Sequence, residues 1–305
     1  MIKGKKIWFN GRMVDWEEVR VHIVSETFSY GYGVFEGIRC YETKDGRAVF
    51  RLREHMERLI NSAKILFLNI PYSRDELIAA AHEAVKANDF EECYIRPYVY
   101  VSTYGESTWD FRKAAVDVAI AVWDWGSYMN EKALTEGIRV KTSSYTRHHV
   151  NVSMTKAKAN ANYINFCLAR GEALRAGFDE ALLLDVNGFV AEGPVENVFM
   201  VKRGEIITPP LTYILEGITR DSVLTIARDL GIQCREEFFT RDQVYTVEEV
   251  FFCGTAAEVT PVREIDHIVI GKGVPGSITK KLVKLFFDIV RGKEGKHPEW
   301  LSLVQ

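Results

Sequence analysis

Two lysines in one short segment could act as nucleophilic amines. Lys156 and Lys158 lie within residues 150–163, which read VNVSMTKAKANANY. An amine attacks a carbonyl carbon only when it is neutral, so a catalytic lysine needs a pKa lowered by burial or by a neighbouring cation. On a strand, two positions apart, both side chains would share one face. The spacing leaves open which lysine reacts, and a single lysine is more often simply solvated.

A carboxylate-binding face is predicted on another strand. Tyr94, Arg96, Tyr98 and Tyr100 alternate along it and therefore lie on one side. An arginine among tyrosines can bind a carboxylate through the fork of its guanidinium group. The alternative is an edge strand on which Arg96 is solvated or held in a structural ion pair, and the spacing leaves both interpretations open.

Two carboxyl groups stand out in an apolar stretch. Glu192 and Glu196 are predicted to share one face of a strand over residues 189–201. A carboxylate on a buried face is costly unless it meets a cation or hydrogen-bond donors. The simpler alternative is that this face is solvated.

Two glycine-containing turns could bind an anion. Residues 217–219 run directly into a predicted helix that begins near Asp221, with Thr219 as its expected N-cap, and residues 254–257 follow a predicted strand. Backbone N–H groups at a helix start favour phosphate. The phosphate-loop and dinucleotide-binding glycine patterns are both absent. Taken alone, each turn is more often only a cap.

Other common chemistries lack their motifs. The sequence has no HExxH, CxxC or GxSxG pattern, and His148 and His149 form the only adjacent histidine pair. No metal site is therefore predicted. The five cysteines have neither a metal-ligand spacing nor a disulfide framework, which favours a reducing cytoplasm. They are Cys40, Cys93, Cys167, Cys234 and Cys253.

Composition favours a globular protein of two domains. The chain has 305 residues, 47% of them hydrophobic, and a formal net charge of -3. No charge block suggests nucleic acid or an anionic membrane surface, and no segment is predicted to span a bilayer or to act as a secretory signal. We expect a small N-terminal α/β domain over residues 1–123, an interdomain loop over 124–134 and a large cofactor-binding domain over 135–305.

The elements that must position these residues follow from local patterns. Asn10-Gly11 predicts a hairpin, and Ser73 with Glu76 predicts a capping box at a helix start. Strands and helices are mixed in two blocks, so the fold class is α+β or α/β with a cleft between the blocks. Predicted strands cover 34–41, 47–51, 93–102, 115–123, 181–185, 189–201 and 250–253. Predicted helices cover 53–67, 73–88, 160–176, 221–230 and 278–290.

The ordered motifs resemble those of the branched-chain aminotransferases, which are pyridoxal-phosphate enzymes of fold type IV. The resemblance covers nearly the whole chain. Its pieces are IWFNG at 7–11, YGVFEGIRCY at 32–41, FRLREHMERL at 50–59, YIRP at 94–97, ALLLDVNGFVAEG at 181–193, EN at 196–197, GITRD at 217–221 and CGTAAEVTPV at 253–262. It implies an α+β, two-domain fold like that of D-amino acid aminotransferase, with the active site at the domain and subunit interface.

The resemblance also implies roles for single residues. In a K-A-x-x-N-Y context, Lys158 rather than Lys156 would form the Schiff base with pyridoxal 5′-phosphate and move a proton between the substrate Cα and the cofactor's C4′. Glu192 would face the pyridine nitrogen, and Tyr163 the 3′-oxygen. The remaining implied cofactor contacts, most of them to the phosphate, are Arg58, Glu196, Ile218, Thr219 and Thr255.

The implied reaction moves an amino group from an apolar, branched-chain L-amino acid to 2-oxoglutarate by a ping-pong route through pyridoxamine 5′-phosphate. The implied assembly is a homodimer or a larger homo-oligomer such as a hexamer, in which the partner lends Tyr30 and the loop near 104–112. The substrate residues carried over from the family are Tyr30, Phe35, Gly37, Tyr94, Arg96, Trp125, Tyr128, Thr255 and Ala256.

Three segments differ from the usual family pattern, one of them residues 193–197, which read GPVEN where the family has a GSGEN-type stretch. Residues 102–112 are bulkier and more charged than the family's glycine-rich loop, and residues 151–161 lack its usual proline or glycine content. An altered specificity therefore stays open. The alternatives are a D-amino acid or (R)-amine transaminase and an aminodeoxychorismate-lyase-like enzyme.

Overall fold

A computed structural model describes residues 1–102, 114–126, 128–129 and 131–304, without the side chain of Glu131. The chain forms two compact units. The first comprises Met1–Gly126, Ala157–Ala161 and Ile289–Gln305, and the second comprises Ser127–Lys156 and Asn162–Asp288, in each case less the residues not described. Within the part of the chain that is described, no helix is long and apolar enough to cross a membrane.

An antiparallel sheet forms the first unit, in the order β17-β5-β4-β6-β7-β1-β2 with β3 paired to β6. Helices α2 and α3 bury their apolar faces with those of the sheet in one hydrophobic core. Its strands are β1 (Ile2–Phe9), β2 (Arg12–Asp15), β3 (Gly33–Phe35), β4 (Ile38–Thr43), β5 (Gly46–Phe50), β6 (Cys93–Val101), β7 (Val116–Asp124) and β17 (Leu301–Leu303), and its helices are α1 (Glu26–Tyr30), α2 (Leu52–Ile65) and α3 (Arg74–Lys86).

Local predictions in this unit are confirmed at one hairpin turn and one helix start, and are wrong at two strands. Asn10 and Gly11 have φ of 46° and 89°, as a tight hairpin requires, and Ser73 forms the capping box of α3. The predicted strand over 34–41 is interrupted between β3 and β4. A Cβ at Gly37, in that interruption, would lie 1.9 Å from the Tyr94 hydroxyl oxygen. The edge-strand alternative for residues 94–100 is also wrong, because β6 lies between β4 and β7.

Mixed strand pairing builds the sheet of the second unit, in the order β10-β9-β8-β15-β14-β11-β12-β13. Strand β10 pairs with both β9 and β11, so six strands form a closed ring. Its strands are β8 (Ile138–Thr142), β9 (Glu180–Leu184), β10 (Val190–Glu192), β11 (Asn197–Lys202), β12 (Glu205–Thr208), β13 (Cys234–Glu236), β14 (Glu249–Gly254), β15 (Glu258–Ile265) and β16 (Ile268–Val269). Its helices are α4 (Glu131–Glu136), α5 (Tyr163–Arg175), α6 (Ile218–Asp229), α7 (Arg241–Val244) and α8 (Ser277–Val290), which ends in residues of the first unit.

Two predictions for the second unit are wrong in detail. The strand expected over 189–201 is split, because the chain reverses after Glu192 and Asn197 becomes its antiparallel partner. Glu192 and Glu196 therefore do not share one strand face. Helix α6 starts earlier than expected, with Gly217 as its N-cap and Thr219 inside its first turn.

Candidate active site

The structure separates the two lysines that the sequence could not. In the first unit, the Lys158 amine lies 5.0 Å from the centre of the Phe35 ring. Burial, and then the charge of Arg58, lower the pKa of Lys158 to about 8. Lys156, in the second unit, instead donates to the carbonyl oxygens of Leu211 and Ile214. The surroundings of Lys158 thus lower the proton affinity of its amine and make the neutral form accessible near physiological pH.

Lys158 is fixed by its own backbone. Its N–H donates to the Ser62 hydroxyl on α2 (3.0 Å), and its carbonyl oxygen accepts from the Phe35 N–H on β3 (3.1 Å). The neighbouring Ala159 forms a β-bridge with Val34. Residues 157–161 therefore lie against the sheet and helix that also carry Phe35 and Arg58.

Arg58 is held by a carboxylate that the sequence analysis did not single out. Glu36 is fully buried and accepts from Nε and Nη2 of Arg58 (2.6 and 2.8 Å). His55 Nδ1, one turn earlier on α2, lies 2.7 Å from the same carboxyl group. Arg58 and His55 together outweigh burial and hold the pKa of Glu36 well below its usual range. The available signal was a glutamate inside the apolar stretch at 34–38, between two short strands.

The predicted carboxylate-binding arginine lies in an aromatic cage. The Arg96 guanidinium carbon is 5.1 Å from the ring centres of Phe35 and Tyr94, 5.3 Å from Trp123 and 5.6 Å from Trp125. Its Nη2 donates to the Tyr94 hydroxyl (3.2 Å). Its Nε is buried and has no hydrogen-bond partner among the described residues. An unpartnered guanidinium N–H is what an incoming carboxylate would satisfy.

Other predicted substrate residues are distributed over both units. Tyr30 ends α1 in the first unit and is half exposed, with 50% of its surface accessible. Tyr128 belongs to the second unit, where it contacts Glu180 and Arg170. The loop near 104–112 lies outside the described residues.

Glu192 is a buried carboxylate of the second unit, and its donors include a guanidinium, a side-chain amide and a backbone N–H. Arg147 Nε lies 2.6 Å from one oxygen, and the Asn197 amide and the Leu215 N–H donate to the other, each at 3.3 Å. The same Asn197 amide donates to the Leu215 carbonyl oxygen (3.2 Å). Glu192 is thereby tied to the loop that leads into α6. Sequence reasoning missed Arg147, which lies beside the histidine pair.

The start of α6 keeps the form expected of an anion site. The N-cap is Gly217, so no N-cap side chain accepts from the first N–H groups of the helix. The first intrahelical bond runs from the Asp221 N–H to the Gly217 carbonyl oxygen. The N–H groups of Ile218 and Thr219 thus lie in the turn that has no intrahelical acceptor. A Cβ at Gly217 would be 1.9 Å from the Asn197 side-chain oxygen, so a larger residue there would displace the Asn197 amide.

The remaining predicted cofactor residues belong to the same unit. Tyr163 begins α5 and packs edge-on against Phe166, with ring centres 5.2 Å apart. Thr255 and Ala256 lie in the turn between β14 and β15. Glu196 folds back on its own turn and accepts from the Val195 N–H (3.1 Å). Among the described residues, no group of three His, Cys, Asp or Glu side chains could hold a metal ion.

Comparison with known proteins gives one consistent result. The family model for amino-transferase class IV matches residues 33–265. The branched-chain-amino-acid aminotransferase of Pseudomonas aeruginosa is 50% identical over 98% of this chain and 97% of its own length. The crystal structure of the Escherichia coli branched-chain amino acid aminotransferase superposes with a TM-score of 0.97, at 43% identity over 99% of this chain and all of its own. The branched-chain aminotransferase of Thermoproteus uzoniensis, solved with norvaline, gives a TM-score of 0.94, at 46% identity over 99% of this chain and all of its own.

Proposed function

This chain belongs to the class IV amino-transferase family, and we propose that it transfers the amino group of branched-chain L-amino acids to 2-oxoglutarate. The observation that carries the chemistry is Lys158, whose amine is desolvated beside Phe35 and has a pKa lowered to about 8. The relatives named above supply the substrate class. The reaction alternates between amino acid and 2-oxo acid at one site, in a ping-pong order.

The two units between them carry each kind of group that pyridoxal 5′-phosphate needs. The cofactor needs an amine, an anion beside its ring nitrogen and a cradle for its phosphate. Lys158 supplies the first and Glu192 the second. For the third we propose Arg58, Ile218, Thr219 and Thr255. A guanidinium carries five N–H donors, so the pairing of Arg58 with Glu36 is compatible with a phosphate contact.

When bound, the cofactor supplies an aldehyde that condenses with amines and a protonated ring that accepts electrons from the substrate Cα. Lys158 would hold the cofactor and would serve as the base that moves the substrate's Cα proton. The negative charge of Glu192 would keep a proton on the ring nitrogen, and Arg147 holds Glu192 in place. The Tyr163 hydroxyl would hold the ring through its 3′-oxygen.

The substrate's two ends call for different surroundings. The α-carboxylate needs a positive donor, and we assign it to Arg96 and Tyr94 with Tyr30 and the turn at Thr255 and Ala256. The apolar side chain needs a mostly apolar lining, for which we propose Phe35, Gly37, Trp125 and Tyr128. The relatives compared above are all branched-chain enzymes, and none favours a D-amino acid, (R)-amine or lyase-like specificity.

We also propose a homodimer or a larger homo-oligomer such as a hexamer. In the first unit, Ile23 and Phe28 are 62% and 66% exposed close to Tyr30 in sequence. In the second, Val152 and Ile164 are 78% and 66% exposed. Large apolar side chains in water are typical of surfaces that a partner covers. Five free cysteines support a reducing, cytoplasmic location.

The test compares Lys158→Ala with Lys156→Ala. We expect Lys158→Ala to lose the visible absorbance of the lysine-bound cofactor and about 10³-fold or more in turnover with L-leucine. Lys156→Ala removes an equal charge two residues away and should keep both. Equal losses in the two variants would contradict the assignment of Lys158. Half-reactions of the wild type with L-leucine, D-alanine and an (R)-amine test the donor class, and a faster reaction with either of the last two would overturn it.

A further inference from the structure

Among the described residues of the second unit, two guanidinium groups lie within ion-pair distance of members of a cluster of three buried carboxyl groups. Glu180, Glu192 and Glu196 are all buried. Arg147 lies 2.6 Å from Glu192, and Arg170 lies 3.3 Å from Glu180. Among the residues that the structure describes, no cation lies within ion-pair distance of Glu196. Three buried negative charges against two positive ones would be costly, so one carboxyl group should hold a proton.

Hydrogen-bond donors indicate which of the two remaining carboxyl groups, Glu180 or Glu196, is charged. Glu180 accepts from the Ala181 N–H (3.0 Å) and the Tyr128 hydroxyl (3.2 Å), in addition to its ion pair with Arg170. Glu196 accepts from the Val195 N–H, and its Oε1 is buried with no partner among the described residues. Donors stabilise a carboxylate more than a carboxylic acid. The negative charge therefore belongs on Glu180 and the proton on Glu196.

The electrostatic surroundings of Glu196 agree with this assignment. Burial, followed by the charge of Glu180, raises the pKa of Glu196 well above its ordinary value, and Glu192 acts in the same direction. Arg170 and the Val195 N–H oppose that rise. The buried thiol of Cys253 also faces Glu196, and its own pKa is raised, chiefly by burial.

Glu180, the charged carboxylate, holds Tyr128, a residue of the proposed substrate pocket. The Arg170 guanidinium lies 4.6 Å from the centre of the Tyr128 ring, while the Tyr128 hydroxyl donates to Glu180. Arg170 and Glu180 thus fix this side chain at its face and at its tip. Burial raises the pKa of Tyr128, so its hydroxyl keeps the proton that it donates.

We infer that Glu196 is a neutral carboxylic acid whose protonation lets Glu180 stay charged, and that Glu180 is a positioning residue that holds Tyr128 in the substrate pocket. The role of Tyr128 rests on the proposed function. The ionisation of the two glutamates does not, because it follows from the contacts of this unit alone.

The first experiment follows folding of the cofactor-free protein between about pH 5 and pH 7, with Glu196→Gln against the wild type. The folded wild type retains a proton that the unfolded chain has lost, so its stability falls as pH rises through this window. Glutamine cannot ionise. We expect the ratio of folding constants, variant over wild type, to rise about tenfold per pH unit. A flat or falling ratio would overturn the inference.

A matched control is Glu172→Gln in the same unit. Hydrogen bonds from Ser143, Lys141 and Ser144 outweigh desolvation and lower the pKa of Glu172 to about 2. Removing that carboxylate should destabilise the protein at pH 7. If Glu196→Gln destabilises it equally there, Glu196 is ionised and the inference fails. If Glu180→Gln rather than Glu196→Gln gives the rising ratio, the proton lies on Glu180 instead of Glu196 and the inference also fails.

The second experiment tests positioning in the holoenzyme. Glu180→Gln weakens the acceptor of the Tyr128 hydroxyl, and Tyr128→Phe removes the hydroxyl itself. We expect each to raise KM for L-leucine about tenfold with kcat within about twofold, and the double variant to be no worse than either single one. Unchanged KM in Tyr128→Phe, or additive effects, would overturn the positioning role. An enzyme inactive with every amino donor would instead contradict the proposed function and leave the folding result standing.

Discussion

Two buried glutamates, one in each unit, have opposite ionisation. Glu36 accepts two hydrogen bonds from Arg58 and lies 2.7 Å from His55, and its pKa is held well below the usual range. Glu196 faces Glu180 instead, and its pKa is raised well above that range. Both side chains are almost completely buried. Burial is therefore common to both, and the neighbouring charge decides which carboxyl group ionises.

The difference also sets opposite responses to pH. A carboxyl group with a lowered pKa contributes stability above its unfolded value near 4.5, and that contribution is lost as pH falls. One with a raised pKa contributes stability below that value, and the contribution is lost as pH rises. The first unit should thus be sensitive to acid at Glu36, and the second to neutral and alkaline pH at Glu196.

Replacing Glu36 by glutamine should give the largest effect. The variant leaves Arg58 beside Lys158 without its buried counter-ion, and removing one partner of a buried pair costs about 3–5 kcal/mol of the free energy of unfolding. Glu57→Gln is the control. Glu57 lies next to Arg58 on α2 but pairs near the surface with Arg74, so its replacement should cost about 1 kcal/mol or less of the free energy of unfolding. Chemical denaturation at pH 7 measures the free energy of unfolding of both variants. Equal losses would show that the buried Glu36 pair stabilises the protein no more than the surface pair of Glu57.

Replacing Arg147 by methionine should cost less, about 2–3 kcal/mol. This change makes Glu192 resemble Glu196, because it removes the cation that is bonded to the Glu192 carboxyl group. Glu192 still accepts hydrogen bonds from Asn197 and Leu215, and these reduce the loss of unfolding free energy. Denaturation measures the stability, and the affinity of the cofactor-free protein for pyridoxal 5′-phosphate should fall as well. A variant that keeps both values would show that Arg147 does not support Glu192.

The sequence predicted local structure well wherever one residue type imposes one geometry. Asn10-Gly11 and the Ser73–Glu76 box are such cases, and both are confirmed. It failed where the chain reverses inside an apolar run, as after Glu192, because hydrophobic periodicity continues through such a turn. The carboxylate partners were also missed. Glu36 meets Arg58 across 22 positions, and Arg147 meets Glu192 across 45, so only the fold brings them together.

The smallest predicted effect belongs to His55, which contacts Glu36. Burial lowers the pKa of His55 more than Glu36 raises it, so the folded protein favours the neutral imidazole. Its contribution to stability is present above about pH 6.5 and is lost as pH falls through the lower, folded-state pKa. We expect His55→Gln to reduce the acid-dependent loss of unfolding free energy between about pH 7.5 and pH 5.5 by about 1 kcal/mol.

His22→Gln, at an exposed site of the same unit, should leave that acid-dependent loss intact. A residual slope is expected in His55→Gln, because burial also lowers the pKa of His82. An unchanged slope in His55→Gln would contradict this prediction, and a larger acid-dependent loss in the variant would mean that Glu36 keeps His55 protonated in the folded state. Glu36 would then be balanced by two cations rather than one, and its contrast with Glu196 would be larger than the structure implies.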